Sequence, residues 1–200
     1  MATIRVIDGT TRAEFGRAIV PALDEIRKYR SLPINGAMPG SKDITGYNIV
    51  KAAEQAARNN SRSQVNYLHL IAEVGNAVGH APGIDTLILT EQDIFDDQVR
   101  WCFGSTISIA EASYLVLSTF RLREPSLLTH VATHELGHIY GAAPKGRKNT
   151  EENLGSHCTN TCVMEQKLSV DTMLQHAKII GLRPDKFCYD CQGDLRYYKR

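Results

Sequence analysis

The stretch Thr133-His134-Glu135-Leu136-Gly137-His138, with Gly141 three residues beyond it, decides how the rest of this chain is read. On a helix, His134 and His138 stand one turn apart on the same face, so both imidazoles can reach one metal ion. Zn²⁺ suits imidazole nitrogen, and a catalytic zinc keeps three protein ligands and one open position for water. Glu135 sits beside the first ligand, where its carboxylate can take that water's proton. The flanks agree with a helix. Pro125 suits a first helical position, and Leu128, Val131, Ala132, Leu136, Ile139 and Tyr140 recur at roughly helical spacing toward Gly141. So short a motif also arises by accident on ordinary core helices, and its weight depends on the residues downstream of it.

Two hundred residues suffice for one domain with a sizeable core. A formal net charge of +1 gives no reason to expect nucleic acid or an anionic membrane as partner. The N-terminus lacks the apolar core of a signal peptide and no apolar run approaches bilayer length, so the expected location is cytoplasmic. Of the five cysteines, Cys158 and Cys162 form one close pair and Cys188 and Cys191 another. In a reducing compartment such pairs read as a metal site before they read as disulfides, a preference that secretion without a signal peptide would reverse. Cys102, in an apolar run, reads as a buried free thiol.

Along the chain, residues 2–8 read as a short strand. Thr11 and Glu14 have capping-box spacing and open a helix with Phe15, Ile19, Leu23 and Ile26 inward, which Pro21 should kink or divide by starting its second half. Residues 31–42 read as a loop, and Tyr47, Val50, Ala53 and Ala57 as a second helix. A third begins at Ser61 with Gln64, carrying Val65, Leu68, Ile71, Ala72 and Val78. The first third thus reads as helical scaffold. Thr86–Thr90, Trp101–Ile109 (interrupted at Gly104) and Tyr114–Phe120 are strand candidates before the histidine helix. Residues 142–156 are polar and loop-like. Ser169 opens a last helix, with Val170, Met173, Leu174, Ala177 and Ile180 inward and Gly181 at its end.

The third ligand is not where the commonest pattern of this class has it: three residues after Gly141 stands Pro144, which cannot bind metal. Downstream lie Ser156-His157-Cys158-Thr-Asn-Thr-Cys162-Val-Met164 and, later, Cys188-Tyr-Asp-Cys191. Joined to the histidine helix, this pattern resembles the archaemetzincins. Upstream, the likeness extends to Arg62–Asn66, Thr90–Phe95, Phe103-Gly104 and Leu117–Leu122. Three departures stand out: an insertion over Ala142–Ser156, a spacing between Cys158 and Cys162 one residue shorter, and a longer gap from Met164 to Cys188.

The resemblance implies that His134, His138 and His157 hold a catalytic zinc with Glu135 as general base. It implies that Met164 forms an apolar floor beneath that zinc, and that Gly141 turns the chain after the helix. It also implies that Cys158, Cys162, Cys188 and Cys191 hold a second, structural zinc. By itself, the residue reading leaves Glu151, Glu152 or Glu165 open as third ligand, and leaves the cysteines open as free thiols or disulfides. His69, His80, His130 and His176 read as structural or solvated.

The implied fold is α+β: one metzincin-like domain over residues 1–200, with a mixed sheet, backing helices and the zinc helix. Its parts would be a helical segment 1–60, the sheet and zinc helix 61–141, and a Cys-rich C-terminal subdomain 142–200. The implied antiparallel edge strand, at about Tyr114–Phe120, would pair with an extended peptide substrate, and the insertion would lie close to the cleft. The implied activity is zinc-dependent peptide hydrolysis. The alternatives are a weak or inactive zinc- and peptide-binding module, and an interaction module built on the cysteine site. An intact Glu135 argues against both.

Overall fold

The computed structural model describes residues 3–35, 44–109 and 111–198. Its elements run in the order β1 (Thr3–Asp8), α1 (Ala13–Arg27), β2 (Ile34–Asn35), α2 (Ile44–Ala56), β3 (Arg58–Asn59), β4 (Gln64–Asn66), α3 (Tyr67–Val78) and β5 (Ile84–Thr90). Then come β6 (Ile94–Phe95), β7 (Gly104–Ile109), β8 (Ala112–Ser118), α4 (Pro125–Ile139), β9 (Thr150–Glu152), β10 (Ser156–Cys158), α5 (Val170–Gly181) and α6 (Tyr189–Tyr197). The chain is a mixed α+β structure.

The main sheet has the order β2-β1-β5-β8-β7. The first four strands are parallel, and β7 returns antiparallel along β8. The two-residue period of a strand sorts the side chains. Val6, Leu87 and Leu115 lie in register and join one core, while their neighbours Ile7, Ile88 and Val116 join the other. Helices α1 and α4 cover the first face, and α2 and α3 the second. A strand covered on both faces needs a continuous apolar run, which is why Thr86–Thr90 reads as it does.

Several expectations are corrected. The first third is more than helical scaffold, because β1 is an inner strand between β2 and β5. Within the expected loop 31–42, Ile34 and Asn35 pair with β1, and residues 36–42 lie outside the described residues. Thr11 makes no capping box: its N–H and hydroxyl both donate to Glu91, at 2.8 and 2.7 Å. Pro21 lies within α1, on an exposed position.

Helix α3 starts at Tyr67 rather than Ser61. The Asn66 side chain caps it, accepting from the N–H groups of Leu68 and His69 at 3.0 and 3.2 Å. Val65, being β-branched, pairs in register with Ile94 instead. Leu68 and Ala72 then face outward, and Tyr67, Leu70, Ile71 and Val74 face in.

The antiparallel edge strand is β7, one strand further out than Tyr114–Phe120. All seven residues of β8 are buried between β5 and β7, whereas β7 alternates Ser and Thr with Ile and is half-exposed. The expected loop 142–156 contains β9, which pairs antiparallel with β10. Ser169 caps α5 as expected, but α5 is not the last helix, because α6 comes after it.

The end of α4 is a glycine-dependent turn. The Ala142 N–H reaches the Gly137 carbonyl at 2.8 Å and the Gly141 N–H reaches that of His138 at 3.2 Å, with Gly141 at φ +82°. A Cβ on Gly141 would also strike the Tyr198 ring, whereas one on Gly146, at φ +78°, meets nothing within 4 Å. Gly146→Ala is therefore expected to cost only the left-handed strain, roughly 1–2 kcal/mol, and Gly141→Ala more. Urea unfolding compares them; equal losses would contradict the packing of Tyr198 on this turn.

Candidate metal centre

Helix α4 turns His134 and Glu135 toward a cavity of about 470 Å³, and His157 reaches the same cavity from β10. The Nε2 atoms of His134 and His138 approach to 3.1 Å. One ring nitrogen of His157 joins them, all three lying within 4.8 Å of one another. A tetrahedral zinc with bonds of ~2.0–2.1 Å would hold two nitrogen ligands about 3.3 Å apart, so the helical pair has the spacing such an ion requires. His134 Nδ1 lies 2.8 Å from the Val163 carbonyl. A carbonyl only accepts, so Nδ1 carries the proton and Nε2 keeps its lone pair for the centre.

Two glycines let other segments close on this helix. A Cβ on Gly137 would strike the Met164 sulfur, and one on Gly104 would come within 3.2 Å of Glu135 Cγ. Met164 is fully buried against α4, and its carbonyl accepts the Cys158 N–H at 3.0 Å. The segment after the cysteines, strand β10 and the helix are thereby joined in one unit.

The four remaining cysteines also converge, their sulfurs within 4.8 Å of one another. Cys158 and Cys188 are 3.7 Å apart and Cys162 and Cys191 3.9 Å. A disulfide needs ~2.05 Å, so these are not bonded pairs. A tetrahedral zinc with Zn–S bonds of ~2.3 Å gives sulfur separations of about 3.8 Å, and the cluster fits such an ion.

The carboxylates left open as third ligand are not part of the histidine cluster, although Glu165 lines the same cavity. Glu151 and Glu152 are exposed on β9, and Glu165 pairs with Lys167 and lies 3.1 Å from His176 Nε2. His176 Nδ1 in turn lies 3.2 Å from His130 Nε2, and His130, read as structural or solvated, lines the cavity. Cys102 is a free thiol and lines the cavity, its value pushed up to about 12 chiefly by burial. Sequence reading also missed Arg121, which grips Asp93 with two N–H groups at 2.8 and 2.6 Å. Its guanidinium stacks 4.4 Å above Trp101, which lines the cavity. Both partners of that grip lie in stretches of the family likeness, Asp93 in Thr90–Phe95 and Arg121 in Leu117–Leu122, but nothing in the sequence pairs them.

Burial keeps the imidazoles neutral, the form that binds metal. It holds His130 at about 3 and His134 at about 4, with like-charge neighbours adding to the shift, and His138 well below the usual range. Burial alone raises the Glu135 carboxyl to about 7.

These shifts give the metal-free protein a defined pH dependence. A depressed imidazole takes its proton sooner in the unfolded chain, so stability is intact above about 6.5 and falls as pH drops below it. Glu135 works the other way: its neutral form stabilises below about 4.5, and that contribution is lost as pH rises through about 7. Between pH 6.5 and 4.5, three strongly shifted imidazoles outweigh one carboxylate. Chelator-treated protein is therefore expected to melt at a lower temperature at pH 5.5 than at pH 6.5, with a smaller drop in His130→Gln. Equal melting temperatures would mean that the imidazoles titrate normally in the fold.

Comparison with known proteins adds to this geometry. The family described as Peptidase family M54 matches residues 48–197. An archaemetzincin from Nanoarchaeum equitans (strain Kin4-M) is 28% identical over 107 residues, 54% of this chain and 49% of that protein. The chain thus matches about half the length of that relative. Among solved structures, the archaemetzincin from Archaeoglobus fulgidus, complexed with malonate, is 22% identical with a TM-score of 0.60, over 96% of this chain and 99% of that one. The archaemetzincin from Methanopyrus kandleri is 18% identical with a TM-score of 0.63, over 98% and 93%. A zinc-dependent peptidase from Methanocorpusculum labreanum (strain Z) is 14% identical with a TM-score of 0.61, over 97% and 100%. The structural likenesses speak for the fold, and the sequence matches for descent. The chain belongs to peptidase family M54.

Proposed function

We propose that this protein hydrolyses peptide bonds, with His134, His138 and His157 holding a catalytic zinc and Glu135 acting as general base. One observation carries the reading: three neutral imidazoles converge within 4.8 Å beside an open cavity whose wall includes Glu135. Zinc bound there supplies polarisation of the scissile carbonyl and acidification of water.

The chain's own residues do the rest. Glu135 takes a proton from the attacking water as its oxygen bonds to the carbonyl carbon. Glu135 then passes that proton to the amine nitrogen as the carbon–nitrogen bond breaks. A carboxyl near neutrality is matched to both halves of that exchange. Strand β7 is the platform on which an extended peptide would lie. Its first residues, Gly104 and Ser105, line the cavity, and among the described residues β8 pairs along one of its edges and no strand along the other. Backbone pairing along the free edge holds a peptide irrespective of sequence. Met164 is the apolar support beneath the histidines. Cys158, Cys162, Cys188 and Cys191 hold a second, structural zinc, closed to solvent ligands.

The tests separate base from ligands. Glu135→Ala is expected to keep its zinc and lose at least about 10²-fold in cleavage of a mixed-peptide library. Wild-type cleavage by this variant would place the activity elsewhere. His157→Ala is expected to weaken the catalytic zinc by about 10²-fold or more, since loss of even an outer-shell partner typically costs about 10–100-fold. Glu151→Ala and Glu152→Ala should leave metal content unchanged. Retention of both zinc ions by His157→Ala, with loss from a glutamate variant, would overturn the ligand assignment.

A further inference from the structure

The insertion Ala142–Ser156 does more than approach the cleft, where Leu154 and Gly155 line the cavity. Its earlier half wraps the sulfur cluster. Arg147 sits in a turn closed by its own N–H to the Pro144 carbonyl at 3.3 Å and by the Thr150 hydroxyl to the Arg147 carbonyl at 2.6 Å. From there its side chain, only 15% exposed, enters the cluster. One terminal nitrogen, Nη2, donates to Cys158 Sγ at 3.1 Å and to Cys191 Sγ at 3.4 Å. These sulfurs belong to β10 and α6, so a single nitrogen spans two chain segments. The other terminal nitrogen, Nη1, is paired with Asp194, which also accepts the Ala143 N–H at 3.0 Å.

We infer that Arg147 is a positioning residue for the cysteine metal centre, placing N–H donors and the nearest positive charge on two of its sulfurs. This inference rests on the proposal that the four cysteines hold zinc. Four thiolates around a divalent cation leave two negative charges in a site where Cys158, Cys162 and Cys191 are fully buried. Buried charge is costly unless donors or counter-charge reach it. Arg147 and Asp194 together are neutral, but the pair is oriented, its cationic end on sulfur and its carboxylate further out. A guanidinium suits this task because its planar fork serves sulfur and carboxylate at once, which an ammonium cannot. Asn160 adds a donor to Cys188 Sγ at 3.5 Å. The inserted segment thus contributes an outer ligand shell on one side of the cluster.

The full-length protein is loaded with Co²⁺, and the sulfur-to-cobalt charge-transfer absorption is recorded. In parallel, the Zn²⁺ form is titrated with a competing chelator, reading the cysteine-bound ion. Arg147→Gln is expected to weaken that ion about 10–100-fold, the usual cost of an outer-shell partner, and to shift the charge-transfer band. Arg147→Lys, with charge but no fork, should fall between Arg147→Gln and wild type. Asp194→Asn breaks the ion pair but leaves Arg147 on the sulfurs, so it should hold the metal as wild type does.

If Asp194→Asn loses as much as Arg147→Gln, Arg147 acts only through a structural ion pair and the inference is overturned. A wild-type cobalt band that Arg147→Gln leaves unmoved, with unchanged affinity, overturns the inference alone. Absence of a sulfur–cobalt band in wild type overturns the cysteine-site reading and the inference with it. Should Arg147→Gln fail to fold, Arg147→Lys against Asp194→Asn makes the same comparison.

Discussion

Strand β10 is three residues long, yet it feeds both clusters, because neighbours on a strand point to opposite faces. His157 goes to the helix histidines and Cys158 to the sulfurs. Neither residue can move without carrying the other, so a metal on one cluster would pre-position a residue of the other. Two neighbouring segments hold this short strand. Strand β9 pairs along it, and the Met164 carbonyl accepts the Cys158 N–H from the next segment.

Close approach is the second condition. The Met164 segment lies on the helix at a distance no Cβ on Gly137 would permit, and a Cβ on Gly104 would crowd Glu135 where the edge strand meets the helix. The same helix also carries the core. Leu128, Val131, Ala132 and Leu136 are buried with α1 and the inner sheet face, so the ligand face is held by the largest apolar cluster. Placing ligands on a packed helix restricts their motion more than placing them on a loop would.

Much of this was legible because periodicity reports burial. The helix bearing His134 and His138, the inner strands β5 and β8, and the cap at Ser169 emerged from pattern alone. Strand propensity does not encode strand order, and for that reason the family likeness, laid onto the strand candidates, puts the edge at Tyr114–Phe120 when β7 occupies it. Helix α6 escaped because only Cys191 and Leu195 are buried on it, which leaves little apolar rhythm. The Ser61–Gln64 spacing mimicked a cap that Asn66 provides. Arg147 was invisible because its meaning lies in sulfurs and a carboxylate distant along the chain. The convergence of His157 with the helix histidines was anticipated only through a family likeness, since nothing local to His157 distinguishes a ligand from a surface histidine.

The most direct test of the account is crystallographic. Diffraction from crystals of the zinc-loaded, full-length protein, collected on both sides of the zinc absorption edge, locates each ion by its anomalous signal. The account expects two sites per chain, one bounded by His134, His138 and His157 and one by Cys158, Cys162, Cys188 and Cys191. A single site, or a histidine-bound ion whose third protein ligand is a glutamate of the inserted segment, would contradict it.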